Sequence, residues 1–135
     1  MITWAGWLIT AFGTLHTLGA LTVEKAATHA DVWFARGLWD EGFQSMSPAM
    51  SAYWFSVDSF GIPLALLGLV VVWMGRRGIV PPTFLVWGLG AWWALDAYIL
   101  SVYWNAIIPV LAILFLALGI RRARSQRRAD EPAPA

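Results

Sequence analysis

The chain has 135 residues, of which 59% are hydrophobic and 13% charged, and its formal net charge is +1. Its mean hydropathy of +0.64 exceeds that of ordinary water-soluble domains, so the composition argues against a protein of that class. Because the chain contains no cysteine, the sequence excludes disulfides, thiol catalysis and cysteine metal sites.

Four apolar segments follow one another, at about residues 2–21, 53–74, 79–100 and 103–120. About 20 residues of helix cross the hydrocarbon core of a bilayer. Backbone polar groups in lipid must be satisfied within the segment, so each segment should be helical. The sequence therefore predicts an all-α domain over residues 1–120, with four transmembrane helices in an antiparallel bundle. The first segment lacks a basic start and is long for a signal peptide, which favours an uncleaved span.

The connection between the first two segments, "TVEKAATHADVWFARGLWDEGFQSMSPAM", holds too many aromatic residues for a free loop. Asp31 can cap a short helix that begins at Val32. Four apolar residues would share one helical face: Trp39, Phe43, Met46 and Met50. We expect a short interfacial helical segment at about residues 31–46, lying over the outer mouth of the bundle. Ser47-Pro48 then begins the second helix.

The positions of the basic residues predict how the chain is oriented in the membrane. Arg76 and Arg77 lie between helices two and three, and five arginines follow helix four. With four crossings both groups are on the same side, and the positive-inside rule places that side, with both termini, in the cytoplasm. Residues 121–135 form a polar tail that we expect to be disordered, with its arginines near anionic lipid headgroups rather than nucleic acid.

Each predicted helix carries one polar residue at a similar height: His16, Asp58, Asp96 and Asn105. At about 1.5 Å per residue, they lie roughly 20 to 26 Å from the cytoplasmic helix ends. Carboxylates inside a membrane are by default functional candidates. The alternative is interfacial side chains that reach the headgroups. We predict that Asp96, Asp58 and His16 are catalytic. The predicted ligand-binding residues are Asn105, Glu24, Trp92, Trp39 and Tyr53.

Small residues recur at steps of three and four along the second and fourth helices. Gly61, Ala65 and Gly68 belong to one stripe, and Ala112 and Gly119 to another. Such stripes let membrane helices approach closely. They can serve within one bundle or between protomers. Because so small a bundle has few interior positions for both packing and a pocket, a homodimer is favoured.

Histidine and carboxylates are the usual acid-base groups, and tryptophan faces can stabilise a developing carbocation. This combination indicates a pocket for a lipophilic small molecule, with isomerase or cyclase chemistry on an isoprenoid- or polyketide-like substrate as one interpretation. The alternatives are a small proton-coupled exporter that works as a dimer, and a non-catalytic membrane accessory protein. No zinc pair and no nucleotide-binding motif occurs, so no metal or cofactor is predicted.

Several stretches carry a family resemblance: "GTLHTLGALT", "WFARGLW", "MSPAMSAYWF", "SFGIPLALLGLVVVW" and "GRRGIVPPTFLVWGLGAW". Over roughly residues 1–120 the chain resembles a family of small bacterial four-helix membrane proteins classed as a domain of unknown function. The Gly-Arg-Arg-Gly-Ile-Val-Pro-Pro turn is the most specific part. The resemblance implies a four-span fold and carries no activity. We expect a multi-pass protein of a bacterial inner membrane. Of the polar residues, His16 lies within a stretch typical of the family.

Overall fold

The computed structural model describes residues 1–42, 44–100 and 106–130, and in these residues all regular structure is helical. The all-α prediction is therefore confirmed at this level. The elements are α1 (Ile2–Thr22), a 3-10 turn (Ala26–His29), α2 (Ala30–Phe34), α3 (Pro48–Ser56), α4 (Gly61–Arg76), α5 (Phe84–Leu100) and α6 (Ile107–Ala129). The chain divides into two compact units, which are Met1–Thr10 with Leu66–Ala135, and Ala11–Ala65.

The second predicted helix is two helices, because regular structure stops between residues 57 and 60. A continuous helix would need an N–H at Pro63 to bond the carbonyl of Ser59, and proline has none. Instead α4 restarts at Gly61, and its first bond runs from Leu64 N–H to Phe60 O at 2.9 Å. Pro63 then lies in the first turn, where a missing N–H costs no hydrogen bond.

The start of α3 is fixed by its cap. Ser47 Oγ accepts the Met50 N–H at 3.1 Å, and Pro48 occupies the first turn. Ser47 Oγ also donates to Glu41 Oε1 at 2.8 Å. The prediction that Ser47-Pro48 begins this helix is confirmed.

The interfacial segment differs from the prediction of one helical stretch over residues 31–46. The helix α2 ends at Phe34, and the chain then turns through Arg36, whose φ of 62° is left-handed and cannot continue a helix. The predicted Asp31 cap is wrong, because the cap position is His29, without a side-chain cap bond, and Asp31 lies inside the first turn. Phe43 lies outside the described residues.

In the unit formed by Met1–Thr10 and the second half of the chain, α1 and α4 are antiparallel and nearly touch along a line of glycines. A Cβ on Gly6 would lie 2.6 Å from Val72 N and 2.8 Å from Gly68 O, and one on Gly75 would lie 3.0 Å from Thr3 N. The small-residue stripe predicted on this helix is therefore a packing surface for α1 of the same chain.

The α6 stripe packs in the same unit. Pro109, Ala112, Leu116 and Gly119 are buried, and a Cβ on Gly119 would lie 2.8 Å from Ile2 Cγ1. The two small-residue stripes on which the homodimer prediction rests thus pack within the same chain. The homodimer itself stays a prediction.

The helix α6 extends nine residues beyond its predicted end, to Ala129, so most of the tail that was expected to be disordered is helical. Alanine, arginine and glutamine are good helix formers, and Arg127 holds the extension by donating to Gly78 O at 3.1 Å.

Apolar surface dominates the helices. Among the described residues, one stretch is long and apolar enough to cross a membrane, Pro48–Arg76, which comprises α3, the break and α4. The number is two if the bent pair Ile2–Thr22 and Ala26–Phe34 is one span. The shorter Phe84–Ile99 is also apolar. Large apolar side chains are widely exposed, with Trp87 and Tyr98 at 75% and 84%.

Candidate functional site

A pocket of about 350 Å³ lies in the unit formed by residues 11–65. Its lining is mostly aromatic and includes one carboxylate. The lining residues are Trp33, Leu38, Trp39, Met50, Tyr53, Trp54 and Asp58. We call this the aromatic pocket. Three residues predicted for the site, Trp39, Tyr53 and Asp58, meet in it.

The wall of the aromatic pocket is held by α2 and α3. Trp33 Nε1 donates to Ala49 O at 2.9 Å, which fixes the indole across the two helices. The Trp33 and Tyr53 rings then meet edge to face at 5.7 Å and 73°. Met50 lies one turn before Tyr53 and Trp54 on α3, so all three share a face, and Met50 is buried at its base. The Trp33 and Tyr53 faces are therefore positioned before any ligand binds.

Asp58 enters the aromatic pocket from the break between α3 and α4. Its backbone N–H donates to Tyr53 O at 3.0 Å, so it is anchored while its side chain is exposed. Among the described residues no side chain pairs with this carboxylate. The Arg36 guanidinium contacts the pocket lining, with its carbon 4.9 Å from the Trp39 ring centroid. The unit has five carboxylates against two basic residues, which favours a positive ligand.

His16 lies on the other side of the same break. Its Nε2 is 2.9 Å from Ser59 Oγ, and its ring stacks on Phe60 at 4.1 Å and meets Phe55 edge-on at 5.7 Å. Asp58 and Ser59 are consecutive, yet one lines the aromatic pocket and the other bonds the histidine. This distance fits a hydrogen bond, whose direction depends on which imidazole nitrogen carries the proton.

Thr17, beside His16, is the unusual polar group of this unit. Its Oγ1 is buried and has no hydrogen-bond partner among the described residues. A Cβ on Gly61 would collide with that same hydroxyl, so α1 and the start of α4 are in close contact here. A buried hydroxyl without a partner costs free energy, which marks the position as one that a water or ligand could satisfy.

The other predicted residues do not belong to the aromatic pocket. Asp96 is exposed on α5, in the unit formed by Met1–Thr10 and Leu66–Ala135, and pairs with no described side chain. Trp92, on the same helix, stacks on Trp93 at 5.9 Å. Glu24 is exposed after the end of α1, and Asn105 lies outside the described residues. In the part of the chain that is described, no three His, Asp or Glu side chains come together as metal ligands would.

Ser59, Thr17 and Trp33 were not predicted for the site. A lone serine or threonine in an apolar helix carries no signature, because such residues often bond only their own helix. The sequence did contain a signal for Trp33, because an indole N–H inside an apolar segment needs a hydrogen-bond acceptor and therefore indicates a packed position. It lay within the segment that we predicted as an interfacial helix.

Fold and pocket together define a small all-helical protein with close glycine-mediated helix contacts and an aromatic pocket that carries one carboxylate. Residues 1–115 match the family of unknown function DUF6463, and the chain belongs to that family. Neither curated proteins nor solved structures give a match.

Proposed function

We propose that the protein is a membrane protein whose aromatic pocket binds a lipophilic small molecule with a positively charged head. The observation that carries this proposal is the set of aromatic rings beside the carboxylate of Asp58, with which no described side chain pairs. Aromatic faces attract cations, and cages of such rings are a common way to recognise quaternary ammonium groups. Leu38 and Met50 supply apolar surface for the remainder of the ligand.

The four-span topology belongs to the same proposal. Its support is the exposure of large apolar side chains on α1, α4, α5 and α6, for which lipid is the natural solvent. The Arg76–Arg77 turn and the α6 arginines would lie in the cytoplasm. A reporter fused to the C-terminus should be active in the cytoplasm of a bacterial host. Activity confined to the periplasm would overturn this topology.

The ligand is tested with a matched pair of probes on the full chain in lipid discs. Benzyltrimethylammonium and neopentylbenzene have the same shape and differ by one positive charge. We expect the cation to bind and the neutral isostere to bind more weakly. Asp58→Asn removes the charge without changing the shape, and should lower affinity for the cation by about two- to fivefold, the range of exposed ion pairs. Trp39→Leu should lower it by about two- to thirtyfold, through the lost ring face.

Arg36→Gln is the opposing control. Its guanidinium lies over Trp39 and repels a cation, so its removal should raise affinity for the ammonium probe. Equal binding of both probes, unaffected by Asp58→Asn, would contradict the cationic ligand. Mass spectrometry of small molecules that co-purify with the chain gives the natural ligand class directly.

Acid-base turnover of the bound molecule is the second candidate, and the observation that favours it is the His16–Ser59 pair at 2.9 Å. An isomerase or cyclase would use the aromatic faces for a developing carbocation and His16 for the proton. His16→Gln should then leave ligand binding intact and stop conversion of the co-purified molecule. A proton-coupled exporter would instead return the ligand unchanged and move it across sealed vesicles, with Asp58 as the proton-carrying group.

A further inference from the structure

A second cavity, of about 510 Å³, lies between the start of α5 and the C-terminal half of α6. We call it the arginine groove. Its polar lining consists of Arg121, Arg124, Arg128, Ser125 and Thr83. Its apolar lining consists of Val86, Trp87, Ala117 and Ile120.

The five arginines of α6 divide by helix face. Arg121, Arg124 and Arg128 follow steps of three and four and line the arginine groove. The other two bind the protein itself, since Arg127 donates to Gly78 O at 3.1 Å and Arg122 contacts Met1 Sδ at 3.1 Å. In the described part of the chain no carboxylate pairs with the three groove arginines. The groove therefore holds three guanidinium groups whose charge no described carboxylate neutralises.

The lining changes from apolar to basic along α6. Ala117 and Ile120 come first, then the arginines, and the start of α5 adds Val86 and Trp87 to the apolar end. The whole unit also has seven basic residues against three carboxylates. A free anion would contact only the basic end of the groove. A nucleic acid backbone would likewise leave the apolar wall without a partner. An amphiphile with an anionic head matches both ends.

We infer that the arginine groove binds a phosphate-bearing amphiphile, with the phosphate held by Arg121, Arg124 and Arg128 and its apolar chain against Val86, Trp87 and Ile120. Guanidinium forks match phosphate oxygens in pairs, which gives arginine an advantage over lysine at such a site. The hydroxyls of Ser125 and Thr83 add two further donors. This site is independent of the aromatic pocket, and either can exist without the other.

The experiment compares two double variants of the full chain with equal loss of charge. Arg124→Gln with Arg128→Gln removes groove arginines, and Arg122→Gln with Arg127→Gln removes the two that bind the protein itself. Each is placed in discs of phosphatidylcholine with a tenth of phosphatidic acid, and native mass spectrometry counts retained phosphatidic acid. We expect the groove variant to lose roughly tenfold or more of the bound lipid, the size of a lost charged hydrogen bond. The matched variant should lose less than about twofold.

Three further measurements keep the outcome decisive. Arg124→Lys retains the positive charge and loses the planar guanidinium group. This variant should bind phosphatidic acid less well than the wild type if the guanidinium donates two hydrogen bonds to the phosphate. Trp87→Ala should weaken phosphatidic acid and leave inorganic phosphate unchanged, which separates a lipid from a free phosphate as the ligand. Circular dichroism confirms that each variant is helical. Equal losses in both double variants, or full retention by the groove variant, would overturn the site and leave only general surface charge.

Discussion

A close contact between α1 and α4 gives a stability prediction for the substitution Gly6→Ala. The added Cβ would lie 2.6 Å from Val72 N, 2.7 Å from Val72 Cγ2 and 2.8 Å from Gly68 O. Ordinary contact begins near 3.4 Å, so α1 and α4 would have to separate by roughly 0.6 to 0.8 Å. Overpacking of this kind costs about 1 to 3 kcal/mol, and backbone neighbours place it at the upper end. The gain in helix propensity from glycine to alanine is about 1 kcal/mol, so the net loss is about 2 kcal/mol.

Gly88→Ala is the matched control, because no atom of the described residues lies within 4 Å of a Cβ at that helical position. The same chemical change there should stabilise the protein by up to about 1 kcal/mol. The two variants should therefore differ by about 3 kcal/mol. Both are compared in one mild detergent by reversible denaturation, followed by far-ultraviolet circular dichroism. A Gly6→Ala protein as stable as the Gly88→Ala protein would refute the close helix contact.

Three further predictions test other contacts. Ser47→Ala removes the α3 cap and leaves Glu41 without its hydroxyl partner, so unfolding free energy should fall by about 1 kcal/mol, with Ser45→Ala as the uncapped control. Thr17→Val deletes the buried hydroxyl, which bonds no described residue, and should be neutral or stabilising in thermal denaturation, whereas a loss would mean that a water or ligand bonds this group. Asp96→Leu should preserve membrane insertion, since it removes an exposed charge from an apolar helix, and a lost ligand affinity in Asp96→Asn would instead place this carboxylate in the site.

The helices themselves could be predicted because their causes are local. Apolar length predicts α1 to within one residue and the end of α5, which starts at Phe84, five residues after the predicted start at residue 79. The serine-proline pair predicts the start of α3. The glycine spacing on α4 also indicated a close helix contact. The spacing did not predict which helix packs against this glycine stripe, and the structure shows that it is α1. Sequence spacing fixes which residues share a face, and the neighbour of that face depends on tertiary packing.

The aromatic pocket could be predicted only in part, because it depends on a turn with no sequence signal. Arg36 adopts a left-handed φ of 62°, a conformation usual for glycine and rare for arginine. That turn ends α2 and returns the chain, so that Trp39 and Trp33 line one cavity. A single helix over residues 31–46 was the simpler expectation from the apolar spacing. The extension of α6 was not predicted for a different reason. The Pro/Ala-rich end of the tail indicates disorder, and this signal was given more weight than the helix propensity of the arginines.

The break between α3 and α4 connects the fold to the candidate chemistry. Val57 and Asp58 both donate their N–H groups to Tyr53 O, so regular pairing ends there and polar side chains gather at the gap. In hydrocarbon, non-helical backbone is tolerated only where protein covers it or a polar cavity receives it. In the proposed four-span arrangement, the backbone polar groups at this break must therefore be covered by protein or face a polar cavity. In a water-soluble protein, water could satisfy them. His16, stacked on Phe60 and bonded to Ser59, covers one side, and the aromatic pocket with Asp58 opens on the other. The proline that breaks the helix thereby places the carboxylate beside the aromatic rings.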